Sequence, residues 1–305
     1  MPLRLPPPLR TGDRIGVAAL SGPVDPARLE AGLSGLAELG FEPVPARNLR
    51  AREDLFAGSD RERLEGFHEL AADPHIAAIF FARGGHGLLR VLPEIDWPLL
   101  ARRPRAYVGY SDLTPFLLEV VRRLRRVAFH GPMVAADLAR GLDARERESL
   151  LAALAGEPET SLPLAGVMRA PRREAAGPLL GGCLSMLVSV LGTPWAPRLG
   201  GAVLLLEDVG EPLFRLDRML THLRLSGSLA RIRGIVIGAM RGADEVPDAT
   251  STVPSRVADL FPGAAVAWGL DAGHVAPNRT LPLGARCRID AAASRLLIEV
   301  SGPSR

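Results

Sequence analysis

Gly109-Tyr110-Ser111-Asp112 places a serine where an apolar strand, Ala106–Tyr110, runs directly into a helix, Asp112–Arg125. A hydroxyl on such a turn stands at the carboxyl end of a sheet, where open α/β folds bind ligands. The helix start offers free backbone N–H groups beside it, and these can stabilise an oxyanion. This is the logic of a nucleophile elbow, although the motif is not Gly-x-Ser-x-Gly. The same spacing also describes a plain helix N-cap supported by Asp112 and Thr114, so both readings stand. A second glycine-rich turn, Arg83-Gly84-Gly85-His86-Gly87, follows the apolar run Ile76–Ala82. It lacks the Gly-x-Gly-x-x-Gly spacing and the lysine of a phosphate loop. Glycines there let a ligand approach the backbone and can supply a second oxyanion amide, and an ordinary tight turn uses the same residues.

Carboxylates and imidazoles complete the reactive inventory. Glu207-Asp208 closes the apolar run Ala202–Leu206, with Glu211 just beyond. Acids at a strand end can orient a histidine, or can cap the helix Phe214–Leu225. His274 lies among turn formers, Asp271-Ala272-Gly273-His274-Val275-Ala276-Pro277-Asn278, and is no core filler. His130, in Phe129-His130-Gly131-Pro132-Met133, is the rival base, and His86 can touch a substrate from the glycine loop. His68 and His222 fall on helices, and His75 opens a strand. No two histidines stand at metal-ligand spacing, so no metal is expected. Cys183 and Cys287 have neither disulfide nor metal spacing, and Cys183 on an apolar helix reads as inert.

The elements that must position these groups alternate. Strands are expected at Arg14–Leu20, Phe41–Pro45, Ile76–Ala82, Ala106–Tyr110 and Val127–His130. Helices are expected at Pro26–Leu39, Ser59–Ala72 with Ser59 as N-cap, Asp112–Arg125 and Asp143–Ala155. This βαβα order predicts an α/β fold whose N-terminal domain is an open, mostly parallel sheet flanked by helices. Pro158, Pro163, Pro171 and Arg172-Arg173-Glu174 mark a boundary. The expected division is an N-terminal domain over 1–156, a linker over 157–177 and a C-terminal domain over 178–305. The second is a smaller α/β domain with β hairpins. Its expected helices are Gly182–Leu191, Phe214–Leu225 and Ser255–Phe261, and its strands Ala202–Leu206, Gly234–Met240, Ala264–Gly269, Ala285–Asp290 and Leu296–Val300.

Composition removes whole mechanisms. The chain has 305 residues, and all 37 of its Lys-plus-Arg residues are arginine. Without lysine there is no Schiff base, no Walker lysine and no Ser-Lys pair. The net charge of +3 is small, and the arginine excess reads as coding bias rather than as a polyanion site. Arg122-Arg123-Leu124-Arg125-Arg126 reads as the solvated end of an amphipathic helix without neighbouring aromatics, so no nucleic-acid partner is expected. Apolar residues make up 47% of the chain, which can build a substantial core. The longest apolar runs are too short to span a bilayer, and the first residues, with three consecutive prolines, lack the apolar stretch of a secretory signal. A cytoplasmic protein without membrane contact is expected.

Gly109-Tyr110-Ser111-Asp112-Leu113-Thr114 with Arg83-Gly84-Gly85-His86-Gly87 resembles the LD-carboxypeptidase family of serine peptidases, the muramoyltetrapeptide carboxypeptidases. So do Leu206-Glu207-Asp208-Val209-Gly210-Glu211 and the run Gly273-His274 through Asn278, Leu281-Pro282 and Gly284. Phe129–Met133, Gly192-Thr193-Pro194 and Asp217–Leu220 match as well, so the resemblance runs from about Gly12 to Gly284. It implies a Ser-His-Glu triad, with Ser111 as nucleophile, His274 as general base and Glu207 as orienting acid. It also implies an oxyanion hole from the amides of Gly85 and Asp112, with Gly84, Arg83 and His86 at the substrate. His86 departs from the tyrosine more usual there, which affects the substrate's rim and not the triad. The implied substrate is a murein tetrapeptide that loses its terminal D-Ala in cell-wall recycling, with no cofactor and with a homodimeric assembly. Two alternatives share the motifs: a hydrolase of acylated aminoacyl-adenylates conferring self-immunity, and a non-catalytic murein-peptide binding protein.

Overall fold

The computed structural model describes residues 3–157, 159–169, 175–242 and 249–299. Chain contacts divide it into two units, residues 1–157 with 277–281 and residues 158–276 with 282–305.

In the first unit the expected apolar runs assemble into one sheet. Its order is Ala128–His130, Ala106–Gly109, Ile76–Phe81, Arg14–Ala18 and Glu42–Pro45, and Leu281, the start of a short strand that was not expected, adds to the edge beside Ala128–His130. The five strands from Arg14 to His130 pair in parallel. Ile15, Val17, Ile79, Phe80 and Phe81 are fully buried, as a parallel sheet covered on both faces requires. Strand Arg14–Ala18 lies between Glu42–Pro45 and Ile76–Phe81, so the strand order reverses beside it. Ligands collect at the carboxyl ends of strands at such a switch point.

Local chemistry sets the helices of this unit. Asp60–Ala72 begins on a capping box: the Ser59 hydroxyl accepts from Glu62 N at 3.3 Å, and the Glu62 carboxylate accepts from Ser59 N at 2.9 Å. Asp143 and Glu146 repeat the device for Ala144–Ala155. The single helix expected over 112–125 is three segments in series: a 3₁₀ turn at Ser111–Leu113, an α-helix at Thr114–Glu119 and a π-helical stretch at Val120–Leu124. Arg122 and Arg123 in that stretch both pair with the buried Glu119. Residues 277–281 return to this unit from far along the chain. Asn278 N donates to Glu146 Oε1 at 2.7 Å, and Thr280 N donates to Ser149 Oγ at 3.0 Å.

The second unit holds an eight-stranded sheet. Its centre is four parallel strands, Ala176–Cys183, Val203–Val209, Gly234–Arg241 and Ala265–Trp268. The hairpin Arg286–Asp290 and Arg295–Glu299 joins antiparallel beside Ala176–Cys183, with Glu159–Pro163 outside it. Gly166–Arg169 closes the opposite edge, antiparallel to Ala265–Trp268.

Three expectations change here. Residues 157–177, read as a linker, contribute the strands Glu159–Pro163 and Gly166–Arg169 and the start of Ala176–Cys183. The helix expected from Gly182 begins at Leu184, because Gly182 and Cys183 still pair with Leu206 and Glu207. The helix expected from Ser255 extends back to Ala249 and carries Pro254 inside it. Pro158, Pro171, Arg172-Arg173-Glu174 and Val300 lie outside the described residues. Cys183 and Cys287 are both buried in this unit, at 4% and 1% exposure, and burial pushes both thiols up, that of Cys287 to about 12.

Candidate active site

Reactive residues gather in two places, one in each unit. In the first, Ser111 follows the buried strand Ala106–Gly109 and holds a left-handed backbone with φ 62°. A non-glycine residue there is strained, which is the signature of a side chain thrust out on a sharp turn. The glycine loop packs directly on it. A Cβ on Gly84 would stand 2.9 Å from Ser111 Cβ and 3.0 Å from Ser111 Oγ, so only glycine allows this approach. Gly85, next in line, is exposed.

Three bonds lock that loop. Gly22 N donates to Gly84 O at 3.1 Å, and Leu88 N donates to the Asp112 carboxylate at 2.9 Å. Arg63 Nη1 donates to Gly87 O at 2.9 Å and also to Leu20 O. Asp112 is 2% exposed, and burial holds its carboxyl above the usual range, opposed by the Leu88 amide. Arg63 is wholly buried and lies over the Phe56 ring at 4.9 Å. Sequence reasoning passed over Arg63. Its signal was present: it sits on the same helix face as Phe67 and Leu70, a position that is buried and not solvated.

The other residues singled out in this unit divide. His86 is exposed and packs on Phe56 with ring centroids 5.7 Å apart. Arg83 is exposed, and its Nη1 donates to Pro23 O at 3.0 Å. His130, the rival base, is wholly buried at the end of the strand pairing with Gly109, 5.5 Å from the Tyr110 ring.

In the second unit, Val203–Val209 carries Glu207 to its carboxyl end and the loop after Ala265–Trp268 carries His274. His274 Nδ1 stands 2.8 Å from Glu207 Oε2. Glu207 is wholly buried, whereas 19% of the His274 side chain is exposed. A carboxylate acceptor at that distance fixes the proton on Nδ1 and leaves Nε2 as the basic nitrogen. Gly273 makes the pair possible. It has φ 99°, and a Cβ there would fall 2.4 Å from Glu207 Oε2. Asp208 takes no part in the pair. It accepts from Ser185 N at 2.7 Å and Val209 N at 2.8 Å, and burial raises its carboxyl.

Among the described residues no cluster of three or more His, Cys, Asp or Glu is arranged to hold a metal ion, and no helix is long and apolar enough to cross a membrane.

Comparison with known proteins agrees with the motifs over most of the chain. Residues 15–131 match the LD-carboxypeptidase N-terminal domain, and residues 176–289 match the LD-carboxypeptidase C-terminal domain. A Bacillus subtilis relative named a probable murein peptide carboxypeptidase is 32% identical, over 96% of this chain and 94% of its own. The crystal structure of muramoyltetrapeptide carboxypeptidase from Oxalobacter formigenes superposes with a TM-score of 0.83 at 29% identity, covering 95% of this chain and 100% of that one. The microcin C7 self-immunity protein MccF of Escherichia coli is 26% identical, over 93% of this chain and 92% of its own. With both domains matched in order and a strained serine, a glycine loop and a Glu-His pair at the motif positions, the chain belongs to the LD-carboxypeptidase family.

Proposed function

We propose that the protein is a serine carboxypeptidase that hydrolyses the L,D-peptide bond to the terminal D-Ala of murein tetrapeptides. The observation that carries this reading is the buried Glu207 bonded to His274, the acid-base half of a serine triad. Ser111 supplies the nucleophile. His274 Nε2 takes the Ser111 hydroxyl proton as Oγ attacks the carbonyl carbon. Glu207 holds the tautomer and stabilises the imidazolium. The amides of Gly85 and Asp112 receive the oxyanion, each contributing about 3 kcal/mol to the barrier reduction. The C–N bond breaks, His274 returns its proton to the leaving nitrogen, and D-Ala departs. Water, deprotonated by His274, then cleaves the acyl-serine ester and regenerates Ser111. Gly84, Arg83 and His86 line the substrate side of the glycine loop. The family resemblance supports a cytoplasmic, homodimeric enzyme in which an N-terminal domain bears the nucleophile and a C-terminal domain supplies the acid and base.

Similarity to the self-immunity protein favours a second reading, hydrolysis of acylated aminoacyl-adenylates by the same triad. One assay separates the two. Purified protein is incubated with murein tetrapeptide and, separately, with a peptidyl aminoacyl-adenylate, and products are identified by mass spectrometry. Release of D-Ala, lost by at least about 10⁴-fold in Ser111→Ala, is the expected result. Cleavage of the adenylate alone moves the assignment to the second reading.

A further inference from the structure

The switch point of the first unit lies between strands Arg14–Ala18 and Ile76–Phe81, and their carboxyl ends lead into residues 19–25 and 82–87. A cleft of about 180 Å³ opens there, lined by Val24, Asp25, Arg28, Arg83, Ala135 and Ala136. Two guanidinium groups enter it. Arg83 donates from Nη1 to Pro23 O at 3.0 Å, and its Nη2 is 3.6 Å from where a Cβ on Gly85 would stand. Arg28 donates from Nε to Ala135 O at 2.9 Å and from Nη2 to Ala136 O at 3.1 Å.

All three acceptors are neutral carbonyls. Arg47, Arg63, Arg90 and Arg140 of the same unit each meet a carboxylate, whereas among the described residues Arg28 and Arg83 bond to backbone carbonyls. The one acid in the cleft, Asp25, accepts from Arg28 N at 2.9 Å as a helix cap. Two cations against one anion leave the cleft positive. A guanidinium carries five N–H donors, so both side chains keep donors for a planar anion.

We infer that Arg83 and Arg28 form the binding site for the free α-carboxylate of the substrate's terminal amino acid. The inference rests on the carboxypeptidase reading above. An exopeptidase must recognise that carboxylate about one residue length, about 3.8 Å, beyond the scissile carbonyl. The Arg83 guanidinium lies beside Gly85, the residue following the glycine that touches Ser111, so it borders the loop next to the nucleophile. The planar fork of arginine matches a carboxylate in two parallel bonds, and a lysine cannot reproduce this.

The test compares murein tetrapeptide as the free acid with the same peptide as its C-terminal carboxamide. Arg83→Ala is expected to lower kcat/KM on the acid by about 10- to 100-fold, the span of one charge-assisted pair, and on the carboxamide by less than about threefold. Arg28→Ala lowers the acid value by about 10-fold, and Arg83→Lys restores only part of the loss. Unchanged melting temperatures show that the variants fold. Equal losses on acid and carboxamide, or an acid preference that survives removal of both arginines, overturn the inference. Failure of the carboxypeptidase reading looks different: the unsubstituted protein releases D-Ala from neither peptide. Calorimetric titration of both peptides onto Ser111→Ala then decides. Acid-selective binding that disappears with Arg83→Ala upholds the carboxylate site, and equal binding or none overturns it.

Discussion

Ser111 carries two loads, the hydroxyl proposed as nucleophile and a left-handed backbone at φ 62°. An L side chain in that region costs about 1–2 kcal/mol, and glycine escapes the cost. Ser111→Gly is therefore expected to be more stable than Ser111→Ala by about 1 kcal/mol in urea unfolding, while both lack activity. Equal stabilities would mean the turn is unstrained. At this scale much was legible. Ser111, Glu207 and His274 declared themselves by type and by position at strand ends or in turns, and Glu207 and His274 do meet. Arg63 was passed over because a long cation on a helix ordinarily lies in solvent, although it shares a helix face with Phe67 and Leu70. Its burial depends on two carbonyl acceptors, Leu20 and Gly87, that are distant in sequence. His130 illustrates the converse: its strand-end position was readable, but its enclosure against Tyr110 follows from packing.

Elements explain how far the pattern carried. The runs Ile76–Phe81 and Val203–Val209 are apolar enough to be strands in any context, and Ser59 and Asp143 announce their helices through capping chemistry. Ala176–Cys183 contains Pro178, Gly181 and Gly182, residues that local preference keeps out of strands, and only pairing with Val203–Val209 and Arg286–Asp290 makes it one. The loop bearing His274 depends on Gly273. Gly273→Ala is expected to cost about 1–3 kcal/mol of stability and to lower kcat at least about 100-fold by displacing Glu207 from the imidazole. Normal turnover in that variant would show that the Glu207–His274 bond does not orient the base. Asp208, on the strand that carries Glu207, has its carboxyl raised because burial favours the neutral form. A carboxyl raised in the folded state adds stability below its unfolded value and loses it as pH climbs through the folded value. Asp208→Asn does not ionise, so its melting temperature should gain on the unsubstituted protein as pH rises from about 4 to 7. A constant difference across that range contradicts the assignment.

The whole chain is threaded so that its first unit is completed late. Residues 277–281 supply the amides of Asn278 and Thr280 to Glu146 and Ser149, and Glu146 is wholly buried while pairing with Arg140. A fragment ending at residue 157 lacks those two donors, so Glu146 keeps Arg140 and the Asp143 amide but loses Asn278, and Ser149 loses Thr280, a defect of about 1–3 kcal/mol each. Its expected behaviour in thermal circular dichroism is a broad, early transition, and a melting temperature equal to that of the full chain would show that the returning segment contributes nothing. This return was invisible in the sequence, since Pro277–Thr280 reads simply as a turn. Splitting the chain near residue 157 matched the visible change in composition but could not reveal that the N-terminal unit ends in the C-terminal half.

The buried thiols have a practical meaning for the motions of this enzyme. Cys183 and Cys287 lie on adjacent strands of the second unit, Cys287 opposite Gly177, and they are the only two cysteines in the chain. A thiol-reactive dye cannot reach either until that sheet opens, so labelling rates report the opening free energy of the unit that bears His274 and are silent about the one that bears Ser111. The native chain therefore comes equipped with a clock for the unit that holds the Glu207–His274 pair, readable without engineering a single probe.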